Sequence, residues 1–467
     1  MSILIENARY VVTMDPERRI LRECSIVVEG DRISFVGPSA EARLKFGKNF
    51  DEVIDAKNMV ALPGFVDTHV HLQEHLTRGF FPEGLSTRDF VFKYELPFVA
   101  ELTAEEESLS AAAACVDMIK TGTTCFCDIG VFHVDEVIER LERLGIRGTT
   151  GRGYFVDKET GETPAEWKQE WRKKLYASSA EEVLKSIENI LYRHRQVSNG
   201  RIKTWVTLEG IGTCSDELYL GAKRLAYDHG VGIYHHIASS LEEVKASEKE
   251  TGEWPISHLS RIGMLCERQL VVHAVLVKDE EVGMLAKHGV KVAHCPGTAL
   301  RIAKGVTKWG KFPEMLEQGV TVGLGSDGAA SGVGFDMTRP MFLAAGLYRD
   351  CRLNAKIIPA QTALEMATVN GAKAMLWDKE IGSIETGKKA DLILFNLKRI
   401  EWVPVGDVVS NLVWSTTGDS VDSAIVDGRV LMRERKLQTT DEEEIVSKAD
   451  ATAFRVAERV GIKSVNT

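Results

Sequence analysis

Between residues 59 and 327 the chain alternates short apolar, β-branched runs with helical patterns, and this alternation limits the fold more than any other feature. Strand candidates fall at 59–66, 123–129, 147–155, 202–210, 232–238, 269–275, 290–295 and 320–327. Amphipathic stretches such as AEEESLSAAAACVDMIKTG and VDEVIERLERLG lie between them, several closing on glycine as helices commonly do. Eight βα units in about 270 residues is the arithmetic of a TIM-type (β/α)8 barrel, an α/β fold with a parallel sheet.

The two ends of the chain have a different texture. ILIENARYVVTMD and SIVVEGDRISFVG near the start, and GSIETGKKADLILFN and SAIVDGRVLMRERKL near the end, read as short strands with turns such as Asp427-Gly428. The expected organisation has residues 1–58 as the first part of a small composite β-sandwich and 59–378 as the barrel. Residues 379–467 then complete the sandwich and add a terminal helix.

Composition narrows the partners. A formal net charge of −10 lacks the basic footprint of a nucleic-acid or anionic-membrane binder, so a small-molecule substrate is expected. No apolar run reaches the ~20 residues of a membrane helix, and acidic residues stand where a signal peptide would be apolar, so a cytoplasmic location is expected. The 8 cysteines are too scattered for a disulfide framework, and Cys125 and Cys127 read as buried strand residues.

The chemistry gathers at strand ends. His69 and His71 close the first barrel strand in GFVDTHVHL, and residues two apart on a strand point the same way, so both can grip one ion. An H-x-H alone also fits paired core histidines. Here His236 ends strand five, His273 lies on strand six and Asp327 closes strand eight, all at the carboxyl rim where barrel active sites are built. Such a His-rich set with one carboxylate suits one divalent ion, zinc first, with iron, cobalt or manganese also compatible, and does not suit calcium or magnesium. Asp327 is the natural proton acceptor from a water activated there, and His273 is either a hydrogen-bond partner to that water or to the developing oxyanion, or a fourth nitrogen ligand.

These motifs, with the trailing G-S-I-E-x-G-K-x-A-D-L-I-L segment, resemble the amidohydrolase superfamily across nearly the whole chain. More narrowly, they are similar to the branch containing atrazine chlorohydrolase and the purine, pterin and triazine aminohydrolases. The resemblance implies a metal-dependent barrel hydrolase with His69, His71, His236 and Asp327 as metal ligands and His273 as a catalytic histidine. It also implies a symmetric homo-oligomer, a dimer or a multiple of dimers.

One position departs from that pattern. Family deaminases read H-x-x-E after strand five, whereas this chain has His236-Ile237-Ala238-Ser239. A hydroxyl of ordinary pKa cannot act as the acid that protonates an aromatic ring nitrogen, and Glu242 or Glu243 would have to fold back to replace it. Acyl C–N cleavage needs no ring protonation. The first expectation is therefore hydrolysis of a urea, carbamate, thiocarbamate or amide. The stretch KWGKFPEMLEQGVTVGLGSDGAASG strengthens it through a narrower likeness to phenylurea and molinate hydrolases, enzymes of xenobiotic degradation. The alternative is deamination of a heteroaromatic ring, and a non-catalytic barrel is disfavoured by the intact ligand set.

Other rim residues are candidate substrate contacts: Gln73 and Arg78 after H-x-H, Ser239 after strand five and His294 at the end of strand seven. Glu209, at the end of strand four, joins them or bridges to a second metal, although no modified lysine is evident there and a single-metal site is expected.

Overall fold

The computed structural model describes residues 1–47, 49–160, 163–195, 197–210 and 212–463. Its barrel strands are Phe65–Val70, Thr123–Asp128, Arg147–Thr150, a fourth in two pieces (Ile202–Thr204 and Val206–Gly210), Ile233–Ile237, Gln269–His273, Lys291–His294 and Val322–Leu324. They pair in parallel in chain order. The fourth strand changes partner at its break: Trp205 N–H donates to Thr150 O at 3.0 Å, and Val206 N–H donates to Gly232 O at 3.1 Å. A bridge between Val70 and Asp327 closes the ring, and Asp327 N–H donates to His69 O at 2.8 Å.

The helices follow the expected patterns. Val134–Leu144 buries Val137, Ile138, Leu141 and Leu144 on one face and stops where Gly145 turns left-handed at φ 86°. Ala104–Lys120 opens with a capping box in which the Thr103 and Glu106 side chains each accept the other residue's backbone N–H. Its row Ala111–Ala114 is buried and lets the helix lie close on the strands.

One boundary differs from the expectation. Met59–Pro63 is not barrel: it pairs parallel with Ser2–Val12 and antiparallel with Leu392–Asn396, and the first barrel strand begins only at Phe65. MVALPGFV is apolar throughout because each half is buried in its own sheet, so no change of pattern marks the crossing. Pro63-Gly64 is its only punctuation.

Among the described residues the small domain is a nine-stranded sheet made from both chain ends, with Leu392–Asn396, Met59–Pro63 and Ser2–Val12 side by side at its centre. Ile3, Ile5, Val11, Ile26, Ile54, Leu392 and Ile425 form its core. Arg147 on the third barrel strand clamps the two bodies together. Its Nε and Nη2 donate to Asp391 at 2.6 and 3.0 Å, and Nη2 reaches Asp427 at 3.0 Å, with Arg147 and Asp391 almost fully buried. The terminal helix Glu442–Val460 packs along Ala104–Lys120, tied by Arg459 to Glu106 at 2.6 Å and by Lys120 to Glu442 at 2.7 Å. No described helix is long and apolar enough to cross a membrane. All 8 cysteines are unpaired, and Cys125 and Cys127 are buried on the second barrel strand.

Candidate active site

Four strands deliver five side chains to one point at the carboxyl rim. Asp327 Oδ1 lies 3.2 Å from His69 Nε2 and 3.2 Å from His71 Nε2, and the two Nε2 atoms are 3.1 Å apart. The His236 ring stands 5.1 Å from His69 and 5.4 Å from His273, centre to centre, and His69, His236 and His273 can present ring nitrogens to one ion. Ala238, His273 and Asp327 all hold left-handed backbone, at φ 49°, 71° and 71°. Non-glycine residues rarely take this conformation, and its cost is typical of strand ends that aim side chains at a site.

The surroundings fix that aim. Asp67 on the first strand accepts N–H groups from Ser326 at 3.0 Å and His69 at 3.2 Å, so the P-G-x-x-D and S-D motifs lock strands one and eight together. Burial pushes the Asp67 carboxyl up to about 7 against those bonds. Gly325 is required because a Cβ there would sit 2.7 Å from His69 Cβ and 2.8 Å from Cys295 Sγ.

His69, His71 and His236 have their Nδ1 engaged, leaving Nε2 for the cluster. His69 Nδ1 meets the Tyr234 hydroxyl, which itself donates to Thr68 O at 3.0 Å. His71 Nδ1 lies 2.6 Å from both Glu74 Oε1 and the Tyr154 hydroxyl, and His236 Nδ1 donates to Glu209 O at 3.0 Å. Such outer partners orient metal-binding imidazoles and set their tautomer. Burial alone would raise the Asp327 carboxyl, but the histidines around it reverse the sign and hold it well below the usual carboxylate range. Asp327 Oδ2 is nevertheless buried with no hydrogen-bond partner. Converging Nε2 lone pairs around an ionised carboxylate with an orphaned oxygen are the donor set of a divalent cation, and the residues fit one.

The cluster opens on a cavity of about 640 Å³, lined among others by Phe90, Phe92, Tyr154, Tyr176, Glu95 and Glu209. The candidate substrate contacts divide. Glu209 and Ser239 line the cavity, with Glu209 Oε1 3.5 Å from His236 Nδ1. Three others do not line it. Gln73 is fully buried in the turn Leu72–Thr77, and Arg78 points outward to Asp117 at 2.6 Å. His294 stacks on Phe312 at 3.7 Å with Tyr348 behind it. Glu243 does fold back, but both its oxygens are taken: they accept the N–H groups of Ala238 and Ser239 at 2.8 Å each.

Sequence reasoning missed Tyr154 and Tyr234, which hold the histidines, and the lysine at 304, which lines the cavity beside His273 and Asp327. Lys304 was detectable only as a cation close after strand seven.

A parallel barrel carrying a histidine–carboxylate cluster at the carboxyl ends of its strands defines a class, the metal-dependent barrel hydrolases. Residues 60–431 match the model of the amidohydrolase family. The chain is 34% identical over 459 residues to a 5'-deoxyadenosine deaminase of Methanosarcina mazei, covering 98% of this chain and 99% of that protein. It is 33% identical to a 5-methylthioadenosine/S-adenosylhomocysteine deaminase of Caldanaerobacter subterraneus, covering 97% and 98%. Among solved structures, a zinc-bound adenosine deaminase from Xanthomonas campestris superposes with TM-score 0.85 at 26% identity, covering 98% of each chain. An atrazine chlorohydrolase from Arthrobacter aurescens with zinc superposes with TM-score 0.86 at 25% identity, covering 97% and 100%.

The chain belongs to the amidohydrolase family and is a hydrolase of C–N bonds other than peptide bonds. The narrower likeness to phenylurea and molinate hydrolases has no support among these relatives, which are named for deamination or for triazine chemistry.

Proposed function

We propose that this protein is a zinc-dependent aminohydrolase that replaces the exocyclic amino group of a heteroaromatic ring, of the adenosine type, with oxygen. The observation that carries this reading is the end-to-end likeness to relatives named as deaminases of adenosine-type nucleosides. This likeness supports ring deamination over the urea and carbamate hydrolysis that Ser239 suggested. The aromatic side of the cavity, with Phe90, Phe92 and Tyr176, suits a flat ring.

His69, His71, His236 and Asp327 would hold one divalent ion, which lowers the pKa of a bound water toward neutrality. The chain's own residues then divide the work. Asp327, ionised and with Oδ2 unpartnered, takes the proton that water gives up as its oxygen adds to the amino-bearing carbon, and returns it to the departing ammonia. His273 lies with Nε2 3.8 Å from Asp327 Oδ2 and keeps an unpartnered Nδ1, so it orients the incoming oxygen. Burial lowers the His273 imidazole well below its usual range, keeping it neutral.

The test is product identity. Zinc-loaded enzyme should release ammonia from aminated purine nucleosides, and no aryl or alkyl amine from N-aryl ureas or thiocarbamates. Release of an organic amine from the second panel alone would overturn the reading.

A further inference from the structure

Ring deamination needs a proton at the ring nitrogen beside the reacting carbon, and the residue that would give it by position, Ser239, is a hydroxyl. Glu243 is committed to two backbone N–H groups. Glu209 and Glu95 lie toward the His236 and His71 side, at 3.5 and 3.9 Å from their Nδ1 atoms. Lys304 also lines the cavity, together with His273, Asp327, Thr298 and Ser331.

Lys304 is 8% exposed, and among the described residues no hydrogen bond or ion pair involves its ammonium group. Its position is built. The helix Pro296–Arg301 ends, Ala303 turns left-handed at φ 53°, and Lys304 N–H donates back to Ala299 O at 2.9 Å, which brings the side chain to the cavity. A largely desolvated ammonium that faces the cavity without a protein partner favours a ligand that supplies one.

The geometry points to Lys304 as the proton donor to the substrate ring nitrogen, in the role that a carboxyl after strand five would otherwise fill. This assignment rests on the ring-deamination reading. As the water oxygen bonds to the amino-bearing carbon, one water proton passes to Asp327. The C=N π pair moves onto the ring nitrogen, which takes a proton from Lys304 Nζ and leaves a neutral amine. On collapse the C–NH2 bond breaks, Asp327 returns its proton to the leaving nitrogen, and the hydroxyl proton goes to Lys304 as the new C=O forms. Ammonia and the ring lactam result, with both side chains restored.

Burial holds the Lys304 ammonium below the ordinary lysine range, which eases proton donation near neutrality. The charged and titratable groups that act on it are Asp327, Glu243, Cys295 and Glu95, and it in turn acts on His273.

The experiment uses zinc-loaded wild type, Lys304→Met and Lys304→Arg. On an aminated purine nucleoside, Lys304→Met should lose at least about 100-fold in kcat/KM with unchanged zinc content, and should lose the alkaline limb of the pH profile. Binding is read separately with purine ribonucleoside, which has no amino group to lose, against the analogue carrying C–H in place of the ring nitrogen. Wild type should prefer the nitrogen-bearing ligand about tenfold, Lys304→Met should bind both alike, and Lys304→Arg should recover the preference without the turnover. Where Lys304→Met folds poorly, Lys304→Leu replaces it with the same expectations. A methionine or leucine variant that keeps both rate and preference overturns the role of Lys304 alone. Wild type that releases no ammonia from any aminated ring overturns the deamination reading, and this role with it.

Discussion

His71 Nδ1 and Glu74 Oε1 lie 2.6 Å apart, both buried, on residues a single turn from each other. Burial alone would lower the imidazole, but the charges and hydrogen bonds of Glu74 and Asp327 together outweigh it, so His71 is held well above its usual range. With an ion on Nε2 the same pairing makes His71 a stronger donor. Glu74→Gln should therefore weaken zinc affinity by about 10- to 100-fold while leaving the fold intact. Competition with a chromophoric chelator measures it, and an unchanged affinity would separate Glu74 from the metal site.

Asp327 serves the ion and the proton together. Asp327→Asn should keep the barrel, as read by circular dichroism, and lose at least about 100-fold in kcat. His236→Ala should lose zinc and activity together. Stoichiometric zinc with full turnover in the histidine variant would remove His236 from the ligand set.

Arg147 holds the barrel to the terminal sheet from inside. Arg147→Met leaves Asp391 buried and Asp427 short of a partner, and should destabilise the protein by about 3–5 kcal/mol, seen in chemical denaturation as an earlier midpoint. A midpoint within error of wild type would mean that the sheet docks through its apolar contacts alone.

Glu106 gives a pH-dependent contact at the terminal helix. Burial works against its charge, but Arg459 and the Thr103 cap pull its carboxyl down to about 2 from an ordinary value of 4.5. A carboxyl depressed on folding stabilises the native state above its unfolded pKa and loses that contribution as pH falls through the folded one. The stability gap between wild type and Glu106→Gln should thus be full above pH 4.5 and close as pH falls toward about 2. A gap that stays constant over that window would contradict the assignment.

How far this was legible in the sequence depends on how local the cause is. The convergence of His69, His71, His236, His273 and Asp327 could be read because strand alternation and the barrel rim fix direction together. His294 closes a strand and Arg78 follows one across a short turn, yet their directions are set elsewhere: the turn Leu72–Thr77 sends Arg78 to Asp117, and Phe312 and Tyr348 enclose His294. Lys304 enters the cavity through the left-handed turn at Ala303, which no periodicity announces. Ser239 was read at its right place. The preference for urea hydrolysis weighed only Glu242 and Glu243 as substitute acids, because they are near Ser239 in the chain, and residues that reach the cavity from distant segments, such as Lys304, could not be weighed.

The most direct test of the account is turnover of an aminated purine nucleoside in heavy-oxygen water, with ammonia and the nucleoside product followed together. Ammonia and product should be released in equal amounts, with a single heavy oxygen on the carbon that carried the amino group. No reaction there, alongside release of an organic amine from a urea or thiocarbamate with heavy oxygen in its carbonyl fragment, would contradict it.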